Sequence, residues 1–364
     1  MNYQSGRMGV AEGIGLAYAI TFPLVFLSTP ANLAEAAGSL SWATPLSGGL
    51  GAGILLWIQQ ALLKRFPGDL FSLSEQLLGT LGAYAVSLFY LFSMYATACL
   101  WTRQFAENTL LTALPSANFT IIVLFYGLSV LLLVYLGIEA SSRASYLILP
   151  FAIGGLLLVL AGLTPVIKPL YLFPLLGNGL PSVVSPTLFL IGAHTPLALL
   201  VILAPAFQNT QTIRATIFFG VGGASVIRAL ANAVYIASFS AAIGLEKTLP
   251  FYEMARLLYI NRYIQRLESL FILLWVMIGV LGIATCLYGT LYIIVRLFKL
   301  PTPKPVLLPL SLIMINIASL PPDAGIVSSL ERTLFGSILA PGFVITTLVL
   351  LIAGLKRSGG KRCD

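Results

Sequence analysis

Ten apolar blocks divide this chain, and the first and the sixth carry prolines inside their hydrophobic runs. Block one reads GIGLAYAITFPLVFLSTPANLAEAAG, with Pro23 and Pro30; block six reads SPTLFLIGAHTPLALLVILAP, with Pro186, Pro196 and Pro205. Proline inside a helix removes a backbone donor and clashes with the preceding turn. In a bilayer the freed carbonyls must be met by protein, water or a bound solute. Interruptions at matching places in two halves of a chain point to a binding site at the middle of the membrane.

The membrane reading rests on composition. The chain is 58% hydrophobic and 9% charged, with a mean hydropathy of +0.97, where soluble domains carry about a quarter charged residues. A spanning helix needs roughly 20 mainly apolar residues. Windows between charges place spans near 13–34, 40–63, 80–104, 117–138, 144–166, 186–206, 215–243, 268–296, 305–321 and 334–355. This predicts one all-α integral membrane domain of ten transmembrane helices. If spans one to five and six to ten are inverted repeats, the broken helices one and six face each other.

The net charge of +8 is a matter of topology rather than nucleic-acid binding. With the N-terminus inside, twelve Lys and Arg fall in cytoplasmic segments and seven on the other side, four of those seven between Lys247 and Arg266. That satisfies the positive-inside rule and puts both termini in the cytoplasm. The first run lacks an Ala-x-Ala exit and is expected to remain as a signal anchor. The segment 250–266 shows Phe251, Met254, Leu258 and Ile264 at helical spacing among charges. It reads as an amphipathic helix at the interface, its aromatics at headgroup level.

Few groups could carry chemistry. Cys99, Cys286 and Cys363 show no metal-ligand spacing, and one histidine with no nucleophile motif leaves no catalytic set. No cofactor, metal or enzymatic activity is expected. Ionisable groups inside a span cost about 2.5 kcal/mol or more and ask for partners. Arg228 stands mid-span, where it would either meet an acid or a substrate carboxylate or form a structural ion pair locking helix seven to a neighbour. Arg103 and Glu107 share a helix face four residues apart, a spacing that favours an ion pair. His194 lies in the break of span six beside Thr195 and Pro196, where it is expected to hydrogen-bond a ligand or to pack. The expected pocket takes Phe22, Leu24, Val25 and Phe26 from span one, Gly192, Ala193, His194 and Thr195 from span six, and Tyr95 from span three.

Several stretches carry a resemblance. They include Pro30 with AEAAG (34–38) and Trp42, LLKRFPG (62–68), Leu78 with Gly79 and Gly82, RQFAENTLL (103–111) and LGIEASSRASYLILP (136–150). The most specific are YLFPLLGNGL (171–180) and LPFYEMARLLYINRYIQRLESLFILLW (249–275). Over nearly the whole chain the sequence resembles the B-subunit family of spore germinant receptors, the endospore germination permeases of the amino acid–polyamine–organocation transporter superfamily. The resemblance implies a LeuT-like 5+5 inverted repeat with discontinuous helices one and six and a nutrient pocket between them. It implies sensing of an amino acid or similar nutrient in the inner membrane of the spore. The partners would be an A subunit with large soluble domains and a lipoprotein C subunit. Two positions depart from the family pattern. Pro23-Leu24-Val25 stands where members often have Gly-x-Gly, and His194-Thr195-Pro196 where an acidic residue is common. An H⁺- or Na⁺-coupled amino acid transporter of the same fold, or a channel lined by the breaks, remains open on the residues alone.

Overall fold

The computed structural model describes residues 8–258 and 268–360. Among them, seven helices are long and apolar enough to cross a membrane, a bent pair makes an eighth span, and two shorter apolar helices, Val10–Phe26 and Lys304–Ser319, complete the set. Span one is α1 (Val10–Thr21), α2 (Pro23–Phe26) and α3 (Thr29–Ala37), separated at Phe22 and again at Leu27–Ser28. The second break is the deeper one. Leu27 is extended (φ −89°, ψ −170°), because Pro30 admits no helical donor behind it. A 3₁₀ turn, Gly38–Ala43, joins α3 to α4 (Thr44–Leu63).

Span three, α5 (Leu70–Thr112), bends at Gly79, whose φ of 77° suits glycine. Beyond this bend the helix runs on from Thr80 to Thr112. Next come α6 (Phe119–Leu136) and α7 (Ile138–Gly162). Span six is α8 (Val184–Ala193), a 3₁₀ turn at Thr195–Ala198 and α9 (Leu199–Ile202), with its two halves bent by 43° at His194. Span seven is α10 (Thr210–Thr216), a π-helical turn and α11 (Gly223–Gly244). Then follow α12 (Pro250–Arg256), α13 (Glu268–Leu297) and α14 (Lys304–Ser319). Span ten is α15 (Ala324–Arg332), a π-helical turn at Thr333–Leu339, and α16 (Ala340–Gly360).

Small residues set the helix packing. A Cβ at Gly48 or Gly51 of α4 would overlap Leu190 or Ile191 of α8, and one at Gly49 would overlap Ser225 of α11. Such close approach is how helices associate in lipid without a hydrophobic drive between them. The YLFPLLGNGL stretch folds over the end of span one. Asn178 donates its side-chain amide to the Ala36 carbonyl (3.2 Å), and Ser39 donates to the Pro174 carbonyl. Gly177 (φ 52°) passes so close to the Ala37 carbonyl that a side chain would collide with it. The loop thus takes up acceptors left at a helix end.

Two expectations need adjusting. The apolar face of α12 does not meet headgroups: Phe251, Met254 and Leu258 are all buried in the bundle. Phe251 stacks edge-on against Phe26 at 6.2 Å, so the break in helix one supplies the apolar surface that the helix seeks. The remainder of that segment, with Arg262, Ile264 and Arg266, lies outside the described residues, as do Arg7, Lys361, Arg362 and Cys363. Span ten begins about ten residues before its expected start at 334, which draws Glu331 into the protein interior.

Candidate functional site at the break of helix one

Helix one passes between two buried polar groups. On one side stands Arg228 of α11, 3% exposed. Its Nη1 donates to His194 Nε2 at 2.9 Å. The other ring nitrogen of His194 contacts the Leu190 carbonyl. A carbonyl only accepts and a guanidinium only donates, so the imidazole is neutral, with its proton on Nδ1. Among the described residues no carboxylate pairs with Arg228; the histidine takes the place of an acid. Two sequence-flagged groups that looked independent are one contact, pinning span six to span seven.

Beside this pair lies a cavity of about 10 Å³, room for roughly one water. Leu24, Val25, Thr29, Arg228, Asn232 and Phe251 line it. Neither polar atom of the Asn232 side chain, nor Thr29 Oγ1, has a hydrogen-bond partner among the described residues. The centre of the molecule is closed down around helix one.

On the other side stands Glu331, fully buried near the end of α15. Its Oε2 accepts a long hydrogen bond from Ser28 Oγ (3.5 Å), at the second break. Gln104 of α5 lies against the same carboxylate. Ser28 and Gln104 both also line a half-open cavity of about 250 Å³, with Asn32, Asn108, Glu107 and Lys247 among its other walls. The cavity opens on the face that carries the α5–α6, α11–α12 and α14–α15 connections.

The expected pocket residues divide accordingly. Leu24 and Val25 face the small cavity, and His194 reaches it through Arg228. Phe22 and Phe26 form an aromatic ladder along helix one, with Tyr18–Phe22 centroids at 4.8 Å and Phe22–Phe26 at 6.5 Å. Ala193 and Thr195 are buried without lining either cavity. Gly192 turns the other way. A Cβ there would overlap the Phe335 carbonyl, so glycine serves the packing of span six on span ten. Tyr95 is nine residues from Gln104, which at about 100° per residue is the opposite face of α5. Its hydroxyl donates to the Leu310 carbonyl of α14 at 3.0 Å. Arg103 and Glu107 pair at 3.5 Å as the spacing predicts, and the guanidinium also covers the Phe119 ring at 4.3 Å.

Ser28, Gln104 and Glu331 were not among the expected site residues. A signal existed: Glu331 is an acid at the mouth of an apolar block, next to a proline-broken partner. Arg332 beside it gives the two residues the pattern of ordinary interfacial charge.

Residues 14–325 match the sequence profile of the family described as spore germination protein, the spore permeases. The chain belongs to that family. Spore germination protein KB of Bacillus subtilis (strain 168) is 24% identical over 292 residues, spanning 79% of this chain and 77% of the relative. Among solved structures, a closed form of Mhp1, a nucleobase-cation-symport-1 family transporter with bromovinylhydantoin bound, covers 95% of this chain and 78% of its own at 16% identity, with a TM-score of 0.68. A substrate-bound, outward-open Na⁺-coupled sialic acid symporter aligns with a TM-score of 0.64 at 11% identity, covering 96% of this chain and 79% of its own. The spore permease is thus a multi-pass membrane protein with the LeuT-like fold expected of it. Its family and its structural neighbours are permeases and transporters, not enzymes.

Proposed function

We propose that this spore permease is the nutrient-sensing membrane subunit of a germinant receptor. It binds a small nutrient, an amino acid or similar solute, where helix one is broken, and passes the change to partner subunits. The observation that carries the reading is the position of Ser28. It lies at an extended break, hydrogen-bonded to a buried carboxylate, on the wall of a cavity large enough for a small solute. A ligand seated there competes with Glu331 for the break and shifts helix one. Only such differential contact can bias two conformations.

The relative's name supports a role in germination, and two of the solved relatives hold small solutes in the same fold. On this reading the protein resides in the inner membrane of the spore with both termini cytoplasmic, and the 250 Å³ cavity faces outward. Its partners are an A subunit with soluble domains and a lipoprotein C subunit. The alternative, an autonomous H⁺- or Na⁺-coupled transporter, draws on the symporters among its structural neighbours.

Spores lacking the gene, complemented by wild type or by Ser28→Phe, test the reading. Loss of one nutrient's germination response in both the deletion and Ser28→Phe, at normal protein abundance, is the expected result. Uphill accumulation of an amino acid by the purified protein alone in liposomes would favour the transporter.

A further inference from the structure

The charges around the 250 Å³ cavity offset one another, with one exception. Glu107 is held by Arg103 at 3.5 Å, and Glu246 and Lys247 are sequence neighbours of opposite charge in the cavity wall, the Lys247 ammonium lying over the Phe239 ring at 5.3 Å. Arg332, next to Glu331 in sequence, is turned outward to Glu35 at 3.2 Å, with both side chains half exposed. Glu331 itself is fully buried and has no cation within 4 Å among the described residues. Its Oε1 has no hydrogen-bond partner there, and neither does Gln104 Oε1. Of the two side chains with an unmatched acceptor oxygen, Gln104 lines the cavity, and Glu331 sits behind its wall, one turn beyond Val327 and Ser328, which also line it.

Acceptors without donors in a low-dielectric wall are costly and call for a group that only donates. A carboxylate adds the demand for positive charge. We infer that Glu331 and Gln104, with Ser28 at the break, form a subsite for the primary ammonium group of the solute that enters this cavity. An ammonium carries three donors and no acceptor, which suits Glu331 Oε1, Gln104 Oε1 and the Ser28 hydroxyl oxygen. Binding it would release Ser28 from its long contact with Glu331, so recognition of the cation and movement of helix one are one event. The inference rests on the function proposed above and narrows it to ammonium-bearing nutrients.

The test uses full-length protein in nanodiscs and propylammonium chloride as the probe. Sodium chloride and 1-propanol serve as matched controls for charge and for shape. Wild type is expected to gain thermal stability with propylammonium beyond that given by either control. Glu331→Gln keeps shape and hydrogen-bonding capacity but removes the charge. It should weaken the apparent affinity by about tenfold or more, the size of a charge-assisted hydrogen bond. Glu331→Asp, which keeps the charge, should retain part of the effect, and the remote Glu75→Gln should retain all of it. Equal stabilisation of wild type and Glu331→Gln overturns the subsite. Sodium chloride matching propylammonium overturns the ammonium assignment in favour of an inorganic cation. Failure here leaves a germination response at Ser28 standing, and failure of that response leaves propylammonium binding measurable, so the two ideas fall separately.

Discussion

The two buried polar groups that flank helix one, a guanidinium with an imidazole and a carboxylate with an amide and a hydroxyl, do opposite things. Arg228 and His194 satisfy each other at 2.9 Å, deep in the bundle beside a cavity of about 10 Å³. Glu331 has one long contact to Ser28, the Gln104 side chain against the same carboxylate, one unmatched oxygen and a cavity of about 250 Å³ in front of its neighbours. A closed pair of this kind fastens helices together. An unmatched group beside open space is where a solute can add binding energy. Burial alone does not separate the two cases; the open space beside the unmet acceptors does.

Five substitutions break or sharpen that contrast, and the first acts on neither group. Gly192→Val drives a side chain into the backbone at Phe335. Overpacking against backbone costs about 1–3 kcal/mol and can exceed it where nothing can shift. Membrane-inserted protein on an immunoblot is expected to fall sharply; normal abundance would mean that spans six and ten pack differently. His194→Ala comes next. It strands a buried guanidinium, at a cost of about 3–5 kcal/mol. Arg228→Met leaves only a neutral imidazole nitrogen unpaired, costing about 1–3 kcal/mol. The double variant should be more stable than His194→Ala alone in a thermal melt. A double variant that melts lowest would show that the pair is not the closed unit described.

Asn232→Leu should go the other way. Since neither polar atom of Asn232 is satisfied by protein, an apolar side chain of similar size is expected to be neutral or stabilising by about 1 kcal/mol. A clear drop in melting temperature would place Asn232 among the groups that use the small cavity. The smallest effect belongs to the exposed clamp between Glu35 and Arg332. Glu35→Ala should change stability by no more than about 1 kcal/mol, with any loss diminished further at high salt.

Much of this architecture was legible before any coordinates. Pro23, Pro30 and Pro196 marked breaks that the backbone makes, because proline's missing donor acts locally and a bilayer offers no substitute. His194 and Arg228 were each flagged as costly groups in lipid, but their contact joins residues 34 apart in sequence and depends on how span six bends. Glu331 was lost for a different reason. The last span was read from the charge-free run that follows Arg332, so the helix that starts at Ala324 and carries a buried acid was cut short there. Gly192 was assigned to the pocket because it adjoins the break. Which side of a short helix faces the partner is a tertiary fact that the alternation of small residues does not reveal.

Cysteine labelling tests the central claim most directly. In a background with Cys99, Cys286 and Cys363 replaced, Ser28→Cys and Ala231→Cys are treated in intact membranes with a membrane-impermeant thiol reagent, with and without the nutrient that triggers germination. The account predicts labelling at position 28 that the nutrient suppresses, and no labelling at position 231, on the closed side of helix one. Equal labelling at both positions, or labelling at 28 that the nutrient leaves untouched, would contradict it.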